Sequence, residues 1–306
     1  MTKKPKVLIA GGSGFIGYNL ANLLISERYE VAILTRKLSN KPKLQEYLWD
    51  VDNQKIDSLA LEDVDYIINL AGTSIADRRW SSLQKRKIEQ SRTKSTLLLF
   101  NSVKKLKEKP KVYISASAIG YYGTFTSNEI FSESQPNGND FLAGVCKKWE
   151  DATHQFESLG IRTVILRTGV VFDPYQGAFP KMTRSLRYGF AAGIGSGLQI
   201  IPWIHLDDLI NIYLFAIQNK QMIGIYNAVA PDYITQNELT NKIKVFTKKI
   251  KIPNLPAFLL KLIYGEMAII LLQGSRVTFG KIIEAGFTFK YSKIEDALDH
   301  LLNQKK

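Results

Sequence analysis

The sequence predicts an α/β fold: a doubly wound parallel sheet with a smaller, mostly helical cap from the C-terminal end. Three observations carry this. Short apolar runs without polar alternation recur along the chain, as in strands buried on both faces. Amphipathic segments of helical length separate them, so neighbouring strands run parallel through right-handed crossovers. A glycine-rich turn, Gly11-Gly12-Ser13-Gly14-Phe15-Ile16-Gly17, joins the first run to the first amphipathic segment.

The elements follow in order. Residues 6–10 form the first strand, apolar after its leading lysine and ended by glycines. Residues 15–26 form a helix with Ile16, Leu20, Leu23 and Leu24 on one face. Further strands are expected at 30–34, in a run ending at Trp49-Asp50, and at 65–70, 111–115, 162–167 and 224–228. Helices between them include 82–107 and 140–159. Beyond residue 170 the pattern loosens. Residues 172–197 are rich in glycine and aromatics and read as partly irregular, and the chain from 251 onward reads as mostly helical. This divides the chain into a core over 1–170, joined by a later strand near 224–230. Mixed core and cleft segments follow over 171–250, and a helical C-terminal part over 251–306.

Composition narrows the classes. With 306 residues, 45% hydrophobic and 23% charged, the chain is globular rather than disordered or fibrous. Its 41 Lys and Arg against 28 Asp and Glu give a net charge of +13, which favours anionic partners. The lysine clusters at 3–6, 104–111, 242–251 and 305–306 lack interleaved aromatics for stacking bases. They read as solvated surface, and no nucleic acid is expected. The single cysteine, Cys146, excludes an internal disulfide and fits a reducing cytoplasm. The apolar run after the basic N-terminus is too short for a signal peptide. The apolar stretch 258–272 contains Lys261 and Glu266 and falls short of the roughly 20 residues of a span, so no membrane is expected. A homodimer is the oligomeric expectation.

The glycine turn carries the first chemistry. It closes a strand and opens a helix, the setting a dinucleotide fingerprint demands. Here the backbone of Gly11, Gly12, Ser13, Gly14, Phe15, Ile16 and Gly17 can approach a pyrophosphate, and the helix N-terminus adds partial positive charge. The second strand ends in Thr35-Arg36, without the acid that accepts from an unphosphorylated ribose. A guanidinium pairs bidentately with a 2′-phosphate, so NADP(H) is favoured over NAD(H). Trp49 ends the third strand, where side chains flank adenine, and Leu70-Ala71-Gly72 ends a strand on residues that let the backbone lie close to the cofactor. No metal pattern is present: His154, His205 and His300 are scattered. Neither a Gly-x-Ser-x-Gly elbow nor a phosphate-binding Gly-Lys-Ser/Thr loop occurs.

These residues belong to a wider set. The glycine turn, Asn69-Leu70-Ala71-Gly72, Ser115-Ala116-Ser117-Ala118 with Gly120-Tyr121-Tyr122-Gly123, and Trp203-Ile204-His205-Leu206-Asp207-Asp208-Leu209 resemble the extended short-chain dehydrogenase/reductase superfamily. More narrowly, the chain resembles its atypical epimerase family proteins. Ala76-Asp77-Arg78-Arg79-Trp80, Ser91-Arg92, Asp140-Phe141-Leu142-Ala143, Trp149-Glu150 and Gly195-Ser196-Gly197 support this. So does the stretch 252–302, which resembles the subfamily's own C-terminal DUF1731-type domain through Gly265-Glu266-Met267-Ala268 and Glu284-Ala285-Gly286-Phe287.

The resemblance implies a Rossmann-like core with a sugar-nucleotide-type cleft at the carboxyl ends of the strands. It also implies a Ser–Tyr–Lys mechanism, in which a phenolate takes a hydroxyl proton while hydride passes to nicotinamide. Ser117 matches the catalytic serine. Ser115 and Arg167 fall among the cofactor contacts, with Arg167-Thr168-Gly169-Val170-Val171 along the nicotinamide half, and Arg79, Trp80 and Arg92 near the cleft. The chain departs from the superfamily at Tyr-x-x-x-Lys: Leu142 and Cys146 stand there, and the subfamily itself lacks the pair. Substitute acids or bases are Tyr121, Tyr122, Cys146 and Glu133. Cys146 reads first as a small buried hydrophobe, Glu133 as a solvated loop charge and His205 as a helix N-cap. The expected function is an NADP(H)-dependent oxidoreductase or epimerase acting on a small polyhydroxylated or nucleotide-linked substrate. The alternative is a catalytically inactive NADP(H)-binding sensor or scaffold.

Overall fold

The computed structural model describes residues 3–39 and 44–303, which leaves the lysines at 305–306 outside the described residues. Eight strands form the central sheet: β1 (Lys6–Ala10), β2 (Glu30–Thr35), β3 (Gln45–Asp50), β4 (Lys55–Ile56), β5 (Tyr66–Asn69), β6 (Val112–Ala118), β7 (Arg162–Thr168) and β8 (Gly224–Ala228). Their order is β8-β7-β6-β5-β1-β2-β3-β4. All neighbours run parallel except the antiparallel return β3–β4, which is too short to announce itself in the sequence.

The main helices are α1 (Phe15–Ser26), α2 (Ser82–Val103), α3 (Phe141–His154), α4 (Leu206–Gln218), α5 (Gln236–Thr247), α6 (Ala257–Tyr264) and α7 (Ile294–Asn303). The two-residue period of β1 sorts its side chains between two layers. Val7 and Ile9 pack with Leu20 and Leu24 of α1 and Ile212 of α4. Leu8 and Ala10 pack with Leu98, Leu99 and Val103 of α2. Each fully buried leucine contributes about 2 kcal/mol of apolar transfer, enough to fix which face of each helix meets the sheet. Capping sets the starts: Ser81 accepts from the Gln84 N–H, Asp140 from that of Ala143 and His205 from that of Asp207.

The C-terminal part is less helical than the sequence suggests. Ile250–Leu255 is extended and pairs in parallel with Phe190–Ile194, inside the segment that reads as irregular. Pro253 and Pro256 are the physical reason, since neither can donate the N–H that a helix interior needs. Helix resumes only at α6. The rest of this part is built into the core. Ile282 and Phe287 join the α1–α4 layer, Leu298 and Leu301 of α7 pack with Trp203 and Leu239, and Met267 packs with Trp80, Ile88 and Leu142. The Asp208 carboxylate accepts from the backbone N–H of Lys290 at 2.7 Å and of Tyr291 at 3.0 Å, which ties the tail to the start of α4. Among the described residues, no helix is long and apolar enough to cross a membrane.

Candidate functional site

In the sheet, β1 lies between β2 and β5, so the chain reverses direction across it and leaves a crevice at the carboxyl edge. The glycine turn fills the mouth of that crevice. Gly11 has φ +80°, and a Cβ there would lie 2.9 Å from the Leu70 carbonyl carbon. On Gly17 a Cβ would lie 2.4 Å from the Gly11 carbonyl oxygen, and on Gly12 2.3 Å from a methyl of Ile33. The turn is thus pressed against β2, the 70–72 loop and α1 at once, and side chains are excluded from it. Gly14 caps α1 with no side chain, and no acid stands in the first turn. The first N–H donors of α1 are left for an anion. Ser13 is exposed, and Phe15 and Ile16 are half-buried.

The Thr35 hydroxyl donates to the Lys37 carbonyl at 2.9 Å and shapes the turn that presents Arg36. Arg36 is exposed, and among the described residues it has no hydrogen-bond or ion-pair partner. Beyond β5, the buried Asn69 amide donates to Tyr113 at 3.0 Å and to Thr96 at 3.1 Å, and its carbonyl accepts from the Ala71 N–H. This holds the Leu70-Ala71-Gly72 backbone rigid. A Cβ on Gly72 would press on the Arg92 guanidinium, which itself donates to the Thr73 carbonyl at 3.0 Å. Trp49 lies elsewhere: it is buried in the α2-side core, so its ring serves packing.

At the end of β6 the structure assembles a network whose centre the sequence does not single out. The Ser117 hydroxyl donates to Glu150 of α3 at 2.6 Å. Arg167 of β7 makes two bonds to the same carboxylate, at 2.9 and 2.8 Å, with both side chains nearly fully buried. Its third nitrogen donates to the Tyr122 hydroxyl at 3.0 Å, which donates to Asn227 of β8 at 2.7 Å. Burial pulls the Arg167 guanidinium down, but the bonds and charge of Glu150 outweigh it and hold the pKa above its usual value. The same burial pushes the Tyr122 phenol up to about 12. Arg167 is therefore committed to Glu150, whereas the resemblance implies a place along the cofactor. Glu133 is a constituent of this network and not a solvated charge: it accepts from the Asn227 N–H at 2.9 Å. Ser115 is buried with its hydroxyl turned onto the Ala116 carbonyl at 2.9 Å.

Leu142 and Cys146 lie one turn apart on α3, next to Gly120, with Leu142 in the cluster around Trp80 and Met267. Burial, reinforced by Glu150, pushes the Cys146 thiol up to about 12, which leaves it protonated at neutral pH. Tyr121 is different. Its ring is half-buried and faces the Arg167 guanidinium at 3.4 Å, and its hydroxyl has no hydrogen-bond partner among the described residues. His205 caps α4 through Nδ1 and sits with His300 inside the fold. Arg79 holds the end of α6, donating to the Ile263 carbonyl at 2.7 Å and to the Leu262 carbonyl. No cluster of metal-ligating side chains occurs among the described residues.

Residues 7–228 match the NAD dependent epimerase/dehydratase family, and residues 255–301 match the domain of unknown function DUF1731. The epimerase family protein YfhF of Bacillus subtilis (strain 168) is 34% identical over 303 residues, which cover 98% of this chain and 99% of that protein. The epimerase family protein ML0860 of Mycobacterium leprae is 33% identical over 303 residues, covering 98% and 96%. Human epimerase family protein SDR39U1 (isoform 2), solved with NADPH, superposes with a TM-score of 0.87 at 29% identity, covering 97% of this chain and 99% of that one. The nucleoside-diphosphate sugar epimerase from Corynebacterium glutamicum superposes with a TM-score of 0.80 at 29% identity, covering 99% of this chain and 59% of that one. Fingerprint turn, parallel sheet and full-length relatives agree: the chain belongs to the NAD-dependent epimerase/dehydratase family.

Proposed function

We propose that the protein is an NADP(H)-dependent oxidoreductase or epimerase-like enzyme acting on a small polyhydroxylated or nucleotide-linked substrate. The observation that carries this is the glycine turn, an uncapped helix start pressed against the 70–72 loop at the sheet's carboxyl edge. The full-length likeness to a protein solved with NADPH supports the dinucleotide. When bound, the dinucleotide supplies a hydride donor or acceptor. The chain does the rest. Backbone N–H groups at the start of α1 hold the pyrophosphate, Arg36 meets the 2′-phosphate, and the Leu70-Ala71-Gly72 backbone lies alongside. Ser117 donates its hydroxyl hydrogen bond to Glu150, so toward a substrate hydroxyl it acts as an acceptor. Tyr121, the sequence candidate with an uncommitted hydroxyl, carries the substrate proton.

Arg36→Asp should weaken NADPH binding at least about tenfold while NADH binding is kept or strengthened, as read by fluorescence titration. Equal NADPH affinity in the variant would remove Arg36 from the site. A second reading, a dinucleotide-bound sensor without turnover, is favoured by one observation: an apolar Leu142 and a buried thiol occupy the Tyr-x-x-x-Lys positions. Incubation of the NADPH complex with a metabolite extract separates the two. The enzyme reading expects net cofactor oxidation, or a new epimer with none, in the wild type and its loss in Tyr121→Phe, and the sensor reading expects neither in either.

A further inference from the structure

We propose that the ligand beside the dinucleotide is an uncharged polyhydroxylated compound, held in a groove within the 123–140 loop and not bearing a nucleotide. This deepens the reading above and rests on it for the chemistry, although the groove itself does not. The groove is open to solvent and offers about 540 Å³, a volume within the range of small-ligand sites. It starts at Tyr122, directly after β6 and its short helical turn, and ends at Asp140, the N-cap of α3. It therefore lies between Tyr122, the chain neighbour of Tyr121, and the N-cap of α3.

The loop is built to hold a shape. Its two arms cross at Gly123 and Gly138, where a Cβ on Gly138 would lie 2.8 Å from the Gly123 Cα. The Gly138 N–H donates to the Tyr121 carbonyl at 2.9 Å. Asp140 accepts from the Thr124 hydroxyl at 2.6 Å with one oxygen and from the Ala143 N–H at 2.9 Å with the other. From the far side the C-terminal part braces the loop. Arg276–Val277 pairs in parallel with Ile130–Phe131, the Thr278 N–H donates to the Phe131 carbonyl at 2.8 Å, and Thr126 donates to Gln273 at 2.7 Å.

The lining identifies the ligand class. Phe125 and Phe131 form an edge-to-face pair at 5.5 Å, offering apolar surface for the C–H face of a sugar or polyol. Asn137, Asn139 and Glu129 line the groove as well; Asn137 donates to the Gly138 carbonyl and Glu129 accepts from Gln135, which leaves the Asn139 amide and the remaining acceptor oxygens to match hydroxyls. Among the described residues, no lysine or arginine lines the groove, in a chain of net charge +13. A phosphate here would meet the carboxylates of Glu129 and Asp140 with no cation to offset them, an arrangement that rejects phosphorylated ligands.

The test uses the full chain saturated with NADPH. Calorimetry and saturation-transfer NMR are run with D-glucose, D-glucitol and maltose, against glucose 6-phosphate and UDP-glucose. The expected result is that at least one neutral probe binds more tightly than both charged ones. Asn139→Ala should then weaken that probe about tenfold, one good hydrogen-bond set, while melting temperature and NADPH affinity stay unchanged. Tighter binding of either charged probe, no binding of any neutral probe, or an unaffected Asn139→Ala overturns the proposal. Absence of NADPH binding in the wild type overturns the dinucleotide reading alone. The groove is then judged by the same criteria on the cofactor-free chain.

Discussion

Glu150 and Arg167 show what a single carboxylate does when it is enclosed. Nearly fully buried and joined by two bonds, the pair stands where each partner alone would be an uncompensated charge. Glu150→Gln keeps the shape and removes the charge. It should destabilise the fold by about 3–5 kcal/mol in urea or guanidinium unfolding, because it strands the guanidinium. The paired replacement Glu150→Leu with Arg167→Met should recover most of that loss, and a double variant as unstable as the single one would contradict this account. The glycine turn, Arg36 and Ser117 are all visible in the sequence because local spacing marks them. Glu150 is visible only as part of Trp149-Glu150, since its partner sits on β7 and no spacing links a helix position to a strand position. The same limit explains Glu133, whose partner Asn227 is brought near only by the pairing of β8 with β7.

Elements with an internal period are the ones the sequence announces. The parallel strands and α1 through α3 lie close to their expected places, because buried apolar runs and amphipathic faces repeat locally. The strands Phe190–Ile194 and Ile250–Leu255 lack that signal, for each exists only through the other. At the glycine turn, element packing is decided by one missing methyl group. Gly17→Ala would force α1 away from the Gly11 carbonyl, with an expected cost of about 1–3 kcal/mol in stability and a loss of NADPH affinity measurable in the same titration.

The start of α4 carries one source of acid sensitivity. His205 Nδ1 accepts from the Asp207 N–H at 3.1 Å, so its proton resides on Nε2, which faces His300 Nδ1 at 3.0 Å. Burial, with the charges of His300 and Lys290 added and Asp207 opposing, lowers its pKa from 6.5 to about 4. As the pH falls the unfolded chain takes up this proton first. The contribution of His205 to stability is therefore full above about pH 6.5, declines as pH falls, and levels off below about pH 4. Asn also caps helices but does not titrate. His205→Asn should show a smaller drop in melting temperature between pH 6.5 and 4 than the wild type, and equal drops would mean that His205 is not the titrating group.

On the scale of the whole molecule, the C-terminal part shares its core with the sheet. Ile282 and Phe287 pack into the α1–α4 layer, and Met267 covers Trp80 and Leu142. Calorimetry should record one cooperative transition, and a chain ending at residue 249 should fail to show it. Two separated transitions would mean that the parts fold independently. The charge resolves at this scale as well. Several lysines are already engaged at the surface: Lys85 pairs with Glu266, Lys148 with Glu89 and Lys290 with Asp207. The net +13 is then a property of the surface as a whole, while Arg36 has a defined anionic use in the proposed site.

The brace across the 123–140 loop sets an order in time. A chain is made from its N-terminus, and the glycine turn and β1 through β6 leave the ribosome early. The segment 273–278, which pins the loop through Gln273, Val277 and Thr278, emerges long after the loop itself. A nascent chain can thus present its dinucleotide turn well before the neighbouring groove has its final shape, and a product of premature termination would keep the first without ever acquiring the second.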